Sequence, residues 1–144
     1  MQVFIPHLTP YDCALAMLKD MRRMNKQIIE CRQILQAIDG TSKAWANHPI
    51  TKMYKDYRGW LSCYMLCLKH MKENDTKRAR QWSDMAQMSA PDFLTDELCN
   101  QHKRRLFTKS PERYPEFARY GTSLENWYVV DGVVVKYVGG KKIQ

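Results

Sequence analysis

No stretch of this 144-residue chain approaches the roughly 18 consecutive apolar residues that a membrane-crossing helix needs. The opening MQVFIPHLTPYD has neither a basic start nor a long apolar run, so no secretory leader is expected and the protein is expected to stay in the cytoplasm. The five cysteines, Cys13, Cys31, Cys63, Cys67 and Cys99, are odd in number and include no CxxC pair. A disulfide framework is therefore not expected. Cys63 and Cys67 face the same way on a helical pattern, among Leu, Met and Tyr, which reads as reduced core thiols. Metal binding by cysteine with His70 or His102 is the alternative, although the spacing matches no zinc pattern, and no metal or cofactor is expected. There is no P-loop, GxGxxG, GxSxG or HExxH, and paired carboxylates at useful spacing are scarce. Without internal repeats, low-complexity tracts or linkers, residues 1–144 read as one domain.

What the chain does have is positive charge. Lys and Arg number 23 against 15 acidic residues, giving a net charge of +8. Such an excess attracts polyanions, nucleic acid first and an anionic membrane surface second. Four Trp, eight Tyr and four Phe are enough large side chains to build a core.

The pattern is mainly helical. Thr9 caps a helix that begins at Pro10, and the helical run continues to Asp39-Gly40 with a kink or break expected near Lys19–Arg23. Met17, Met21, Met24, Ile28, Cys31, Leu35 and Ile38 form its apolar stripe. Residues 40–49 read as a loop anchored by Trp45. A second helix is expected from Pro49 through Glu73, a third over 76–88, and a fourth from Thr95 to before Ser110-Pro111. A short helical turn follows in PERYPEFARYG. In NWYVVDGVVVKYV two β-type runs flank Asp131-Gly132, the strongest short hairpin signal. The tail 139–144 is expected to fray. The expected architecture is one all-α domain, mainly a helical bundle, with a small C-terminal hairpin.

Candidate chemistry lies first on the polar side of the Arg22–Glu30 stretch. Arg23, Lys26 and Glu30 are spaced i, i+3, i+7 and share a face, with Arg22 and Gln33 at its edge. Cations around one carboxylate suit a phosphate-contacting acid/base site; a solvated face with intrahelical ion pairs is the alternative. His102, Lys103, Arg104, Arg105 and Lys109 form a second basic patch, readable as phosphate contacts or as cations favoured at a helix C-terminus. His48, before Pro49, reads as a base or phosphate contact or as a helix cap. Trp127-Tyr128 read as stacking aromatics or as core.

Taken together, MQVFIPHLTP, RRMNKQIIECRQILQAI, NHPITKMYKDY and LTDELCNQHKRRLFTKSPERYP resemble the pyrimidine-dimer DNA glycosylase family of the phage endonuclease V type, most of all its small bacterial and phage members. The resemblance covers nearly the whole chain. It rests on R-x-x-K-Q-x-x-E (Arg23, Lys26, Gln27, Glu30), H-P (His48, Pro49) and H-x-x-x-L-x-x-K-x-P (His102, Leu106, Lys109, Pro111). It implies a helical fold binding double-stranded DNA, damaged or modified, across a basic face, without cofactor and as a monomer. It further implies glycosylase and abasic-site lyase chemistry through an N-terminal α-amine that forms a Schiff base, assisted by an acidic residue on the first long helix. The implied catalytic pair is Met1 and Glu30, and the implied DNA contacts are Arg22, Arg23, Lys26, Gln27, His48, His102, Arg105 and Lys109. The chain differs from the family pattern at two places. Arg22-Arg23 stands where an Arg-Glu pair carries the acid, and the bulky Gln2 is expected to keep Met1 in place. The alternative function is a non-catalytic DNA-binding accessory protein on the same fold. A third reading is an interaction protein whose basic surface meets an acidic protein partner.

Overall fold

Two acidic or hydroxyl caps divide the first helical run, as seen in a computed structural model that describes residues Met1–Gln144. Thr9 accepts the Asp12 N–H at the start of α1 (Pro10–Met17), and Asp20 accepts the Arg23 N–H at the start of α2 (Met21–Asp39). The break falls where it was expected. Asp20 is buried, and its second oxygen accepts the Tyr114 hydroxyl at 2.9 Å, so the cap is also a tertiary contact. Restarting the helix resets its register. Met21, expected in the apolar stripe, is 38% exposed, while Met24, Cys31, Ile34 and Leu35 are buried. Gly40 closes α2 in the left-handed conformation, at φ 77°.

The single helix expected from Pro49 to Glu73 is two helices, α3 (Pro49–Tyr54) and α4 (Arg58–Lys72). The break at 55–57 lets α3 pack on α2 and the hairpin, while α4 runs along α1, α2 and α5. Tyr54 and Trp60 stack across it at 6.2 Å. The Arg58 guanidinium grips Asp39 with Nε at 2.6 Å and Nη2 at 2.7 Å, fixing the start of α4 to the end of α2. The pair is largely solvated, so it directs the chain more than it stabilises it. In the intervening loop Trp45 is 39% exposed. Its ring meets His48 edge-on and its carbonyl accepts the Thr51 hydroxyl, so Trp45 holds the loop without being buried.

Asp75 caps α5 (Thr76–Gln87) and Thr95 caps α6 (Asp96–Lys109). A 3-10 helix (Pro115–Tyr120) leads into β1 (Asn126–Val130) and β2 (Val133–Val138). These pair antiparallel from Asn126↔Tyr137 to Val130↔Val133, and the turn residues Asp131 and Gly132 both have positive φ, at 53° and 78°. Gly139 and Gly140 make a second positive-φ turn, and β3 (Lys141–Lys142) pairs with Tyr137 and Val138. Two consecutive glycines permit that turn without strain.

The core runs through Trp60, Tyr54, Tyr64, Tyr114, Leu61 and Leu68. All five cysteines are buried and free, as their apolar neighbours implied. No helix is long and apolar enough to cross a membrane.

Candidate active site at the N-terminus

Residues Val3, Phe4 and Ile5 are fully buried yet belong to no helix or strand. A buried irregular segment must still satisfy its backbone polar groups, and here side chains do so. Gln27 accepts the Phe4 N–H through Oε1 at 2.6 Å and donates to the Gln2 carbonyl through Nε2 at 3.1 Å. His102 Nδ1 accepts the Ile5 N–H at 2.7 Å. The Tyr64 hydroxyl donates to the Phe4 carbonyl at 2.6 Å, and the Tyr128 hydroxyl donates to the Met1 carbonyl at 2.7 Å. Glu30 Oε2 accepts the Gln2 N–H at 3.0 Å. The N-terminus is thus held by α2, α4, α6 and β1 together.

These contacts deliver the Met1 end into a small pocket of about 80 Å³ lined by Arg23, Lys26, Glu30, Arg105, Lys109 and Asn126, with Gln2 and Phe4. Arg23 lies over the Phe4 ring at 5.1 Å. Arg105 is held by Asn126 Oδ1 (3.0 Å) and the Ser123 carbonyl (3.1 Å). No ion pair forms between the Met1 amine and Glu30; the carboxylate's bond goes to the next residue's N–H.

The charges tune one another. Burial lowers the Met1 amine below its ordinary value of 8.0; Glu30 opposes this, and Lys26 and Lys109 add to it. Burial raises the Glu30 carboxyl, against the pull of the Gln2 N–H, Lys26, the N-terminal ammonium and Arg23. Lys109 is lowered by desolvation, then by Arg105, Arg23 and Lys26. The outcome is an amine more readily neutral at physiological pH beside a carboxyl more readily protonated, the two states that nucleophilic attack and proton transfer require.

The structure brings together Met1, Arg23, Lys26, Glu30, Arg105 and Lys109 from the sequence-derived set. Arg22 is exposed, one position outside this wall. Gln27 and His102 were expected to touch DNA, but at 0% and 1% exposure they face the N-terminal segment and present nothing to a ligand surface. His48 caps α3 through Nδ1, which accepts the Ile50 N–H at 3.0 Å, and packs edge-on against Tyr128. On α6, Lys103 and Arg104 turn towards the 3-10 helix, where Arg104 donates to the Tyr120 carbonyl. The dense patch therefore splits, and only Arg105 and Lys109 reach the pocket. Tyr128 is buried, as the core alternative held. Asn126, and the hydroxyl bonds of Tyr64 and Tyr128 to the N-terminal segment, were not foreseen because the partners lie about 20 to 130 residues away in the chain.

His102 gives the clamp a pH dependence. With Nδ1 accepting from Ile5, the neutral ring's proton sits on Nε2 and faces the Gln2 amide, whose otherwise unpaired Oε1, and not its Nε2, is the atom that can accept it. Burial, with Arg105 adding, pulls its pKa down to about 3. An unfolded histidine titrates near about 6.5, so as pH falls the unfolded chain binds the proton first. The stability owed to neutral His102 is complete above about pH 6.5 and is lost as pH falls towards about 3. Urea unfolding at pH 7 and pH 4 should show wild type losing about 3 kcal/mol more than His102→Gln over that interval. Equal losses would contradict this placement of the proton.

A larger concavity, about 460 Å³, lies elsewhere: it is lined by Met53, Tyr57, Phe93, Trp127 and Val129 and contains neither Met1 nor Glu30. Strand alternation puts Trp127 and Val129 on the face of β1 opposite Asn126 and Tyr128. Met1, Glu30 and the four cations lie in the smaller pocket.

The fold is mainly helical and sets the Met1 amine, a carboxyl and four cations in one pocket. Residues 1–84 match the family model for pyrimidine dimer DNA glycosylase. The match spans more than half of the chain, and the chain belongs to the pyrimidine dimer DNA glycosylase family. Membership supports a DNA glycosylase role with DNA as the partner. The matched span holds Met1, Arg23, Lys26 and Glu30 and ends before Arg105 and Lys109. No curated protein and no solved structure matches the chain.

Proposed function

We infer that this protein is a DNA glycosylase with abasic-site lyase activity on damaged or modified bases, working through the Met1 α-amine. The observation that carries this reading is the shared pocket of Met1, Glu30 and four cations. The neutral amine attacks the sugar C1′, and the C1′–N bond to the base breaks with its electron pair leaving on the base, which takes up a proton. The amine nitrogen gives up one proton, and the C1′–O4′ bond then breaks with its electron pair leaving on O4′, which takes up a proton, so that the C1′=N iminium forms with one N–H remaining. Glu30 stabilises that cation and moves the proton at the sugar. Loss of a C2′ proton then expels the 3′ phosphate, which cleaves the strand. Arg23, Lys26, Arg105 and Lys109 hold the flanking phosphates. The test is borohydride trapping on abasic, dimer-containing and modified-base duplexes. A reduced covalent complex on at least one substrate is expected; neither trapping nor strand cleavage on any of them refutes the reading.

Phosphate contact makes binding salt-dependent, because each neutralised phosphate releases a counterion. Lys26→Gln and Lys109→Gln should each reduce the slope of log affinity against log salt by about 1, about equally for all sequences. Affinity that is insensitive to salt would leave the basic pocket without its proposed role.

A further inference from the structure

We propose that Gln27 is a positioning residue for the amine nucleophile: its amide, bonded on both sides of Val3, sets the register of the N-terminal segment and so places the Met1 nitrogen against Glu30. This inference rests on the reading of Met1 as the nucleophile and goes beyond it by naming what aims the amine.

Little else fixes this segment. Met1–Leu8 has no ladder of its own, so its register is set only by side chains that bond its backbone. Gln27 alone bonds it at two points, accepting from Phe4 N–H and donating to the Gln2 carbonyl. A carboxamide supplies an acceptor and a donor on two neighbouring atoms, whatever the pH. A methionine fills the same volume but leaves a buried N–H and a buried carbonyl unpaired; a glutamate loses the donor. Both bonds lie within four residues of the amine, and Gln27 is one helical turn from Glu30 on the same side of α2. The nucleophile's anchor and its partner carboxyl therefore share one rigid element. A slip of one residue would carry the amine about 3.5 Å along the chain, out of a pocket of about 80 Å³. Tyr128 adds a stop at the very end, donating to the Met1 carbonyl at 2.7 Å. His102 and Tyr64 fix Ile5 and Phe4 behind it.

A glutamine that only stabilised the fold would change melting and leave the chemistry alone. One that aims the amine changes the chemical step and spares DNA affinity, since it touches no exposed surface. The experiment compares wild type, Gln27→Met and Tyr128→Phe in full-length protein whose folding is checked by circular dichroism. It reads single-turnover borohydride trapping at saturating abasic DNA, the Kd for the same duplex, and the titration of the Met1 amine by NMR after labelled reductive methylation. Gln27→Met should trap about 10²-fold more slowly, the scale of an ångström-sized misplacement, with Kd within about twofold and the amine titrating closer to its ordinary value. Tyr128→Phe should lose about tenfold in the same step, and it carries the test should Gln27→Met not fold. Folded variants whose trapping stays within about threefold of wild type overturn the proposal. If wild type itself does not trap, the proposed activity fails separately, and the clamp then stands or falls on whether Gln27→Met moves the amine titration.

Discussion

Acetylating the Met1 α-amine, or adding one glycine before it, is expected to abolish borohydride trapping on abasic DNA while leaving DNA binding nearly intact. The expected loss is about 10³-fold or more, the scale seen when a covalent nucleophile is removed. Two physical facts carry the expectation. The amine is lowered by partial burial and by Lys26 and Lys109, so a useful share of it is neutral near pH 7. An acetyl group removes that lone pair from chemistry, whereas a glycine moves it up to about 3.8 Å beyond the Tyr128 and Gln27 anchors. The cations that would hold phosphate are untouched by either change. Gel-shift and trapping assays on the same preparations separate the two effects. Loss of binding along with trapping would mean that the N-terminus serves the interface and not the chemistry.

Glu30→Gln is the second large effect, and it has two components of different sign. The maximal single-turnover rate should fall about 10²- to 10⁴-fold, the usual range for loss of a positioned acid/base group. Glu30 meanwhile raises the amine's pKa, because its negative charge favours the ammonium form. Removing that charge lowers the amine further, so the rising limb of the pH–rate profile should shift to lower pH even as the plateau drops. A plateau reduced without that shift would place Glu30 out of electrostatic reach of Met1. Lys26→Gln reverses the sign: it removes a charge that lowers the amine, and the limb should move to higher pH.

The parts of this fold that were readable in advance share a trait: their causes are local. Thr9, Thr95 and Gly40 act on backbone within a few residues, and Asp131-Gly132 makes a turn by its own conformations. The break at 55–57 is decided by packing of α3 on α2 and β1, so the continuous apolar spacing of Met53, Tyr57, Trp60, Leu61 and Tyr64 concealed it. The candidate site divides in the same way. Arg23, Lys26 and Glu30 were placed on one face by helical spacing alone. Gln27, one position from Lys26, was expected through the family resemblance to be a DNA contact. It is instead the most deeply buried polar residue there, because the groups it satisfies are backbone atoms of residues 2 and 4. Helical periodicity describes a residue's direction and not what fills the space it points into. His102 misled for the same reason: four neighbouring cations suggested a solvent-facing patch, while the ring turns inward to Ile5.

The chain's own terminal nitrogen, and not a side-chain amine, is expected to meet the sugar. Lys26 and Lys109 line the same pocket, and Lys109 is itself held below the ordinary lysine value, so the pocket offers three candidate amines. Mass spectrometry of the borohydride-reduced complex, digested to peptides, distinguishes them directly. The reduced sugar adduct should sit on the α-nitrogen of Met1 in the N-terminal peptide. An adduct on the side chain of Lys26 or Lys109, with the Met1 amine unmodified, would contradict the role of Met1 as nucleophile.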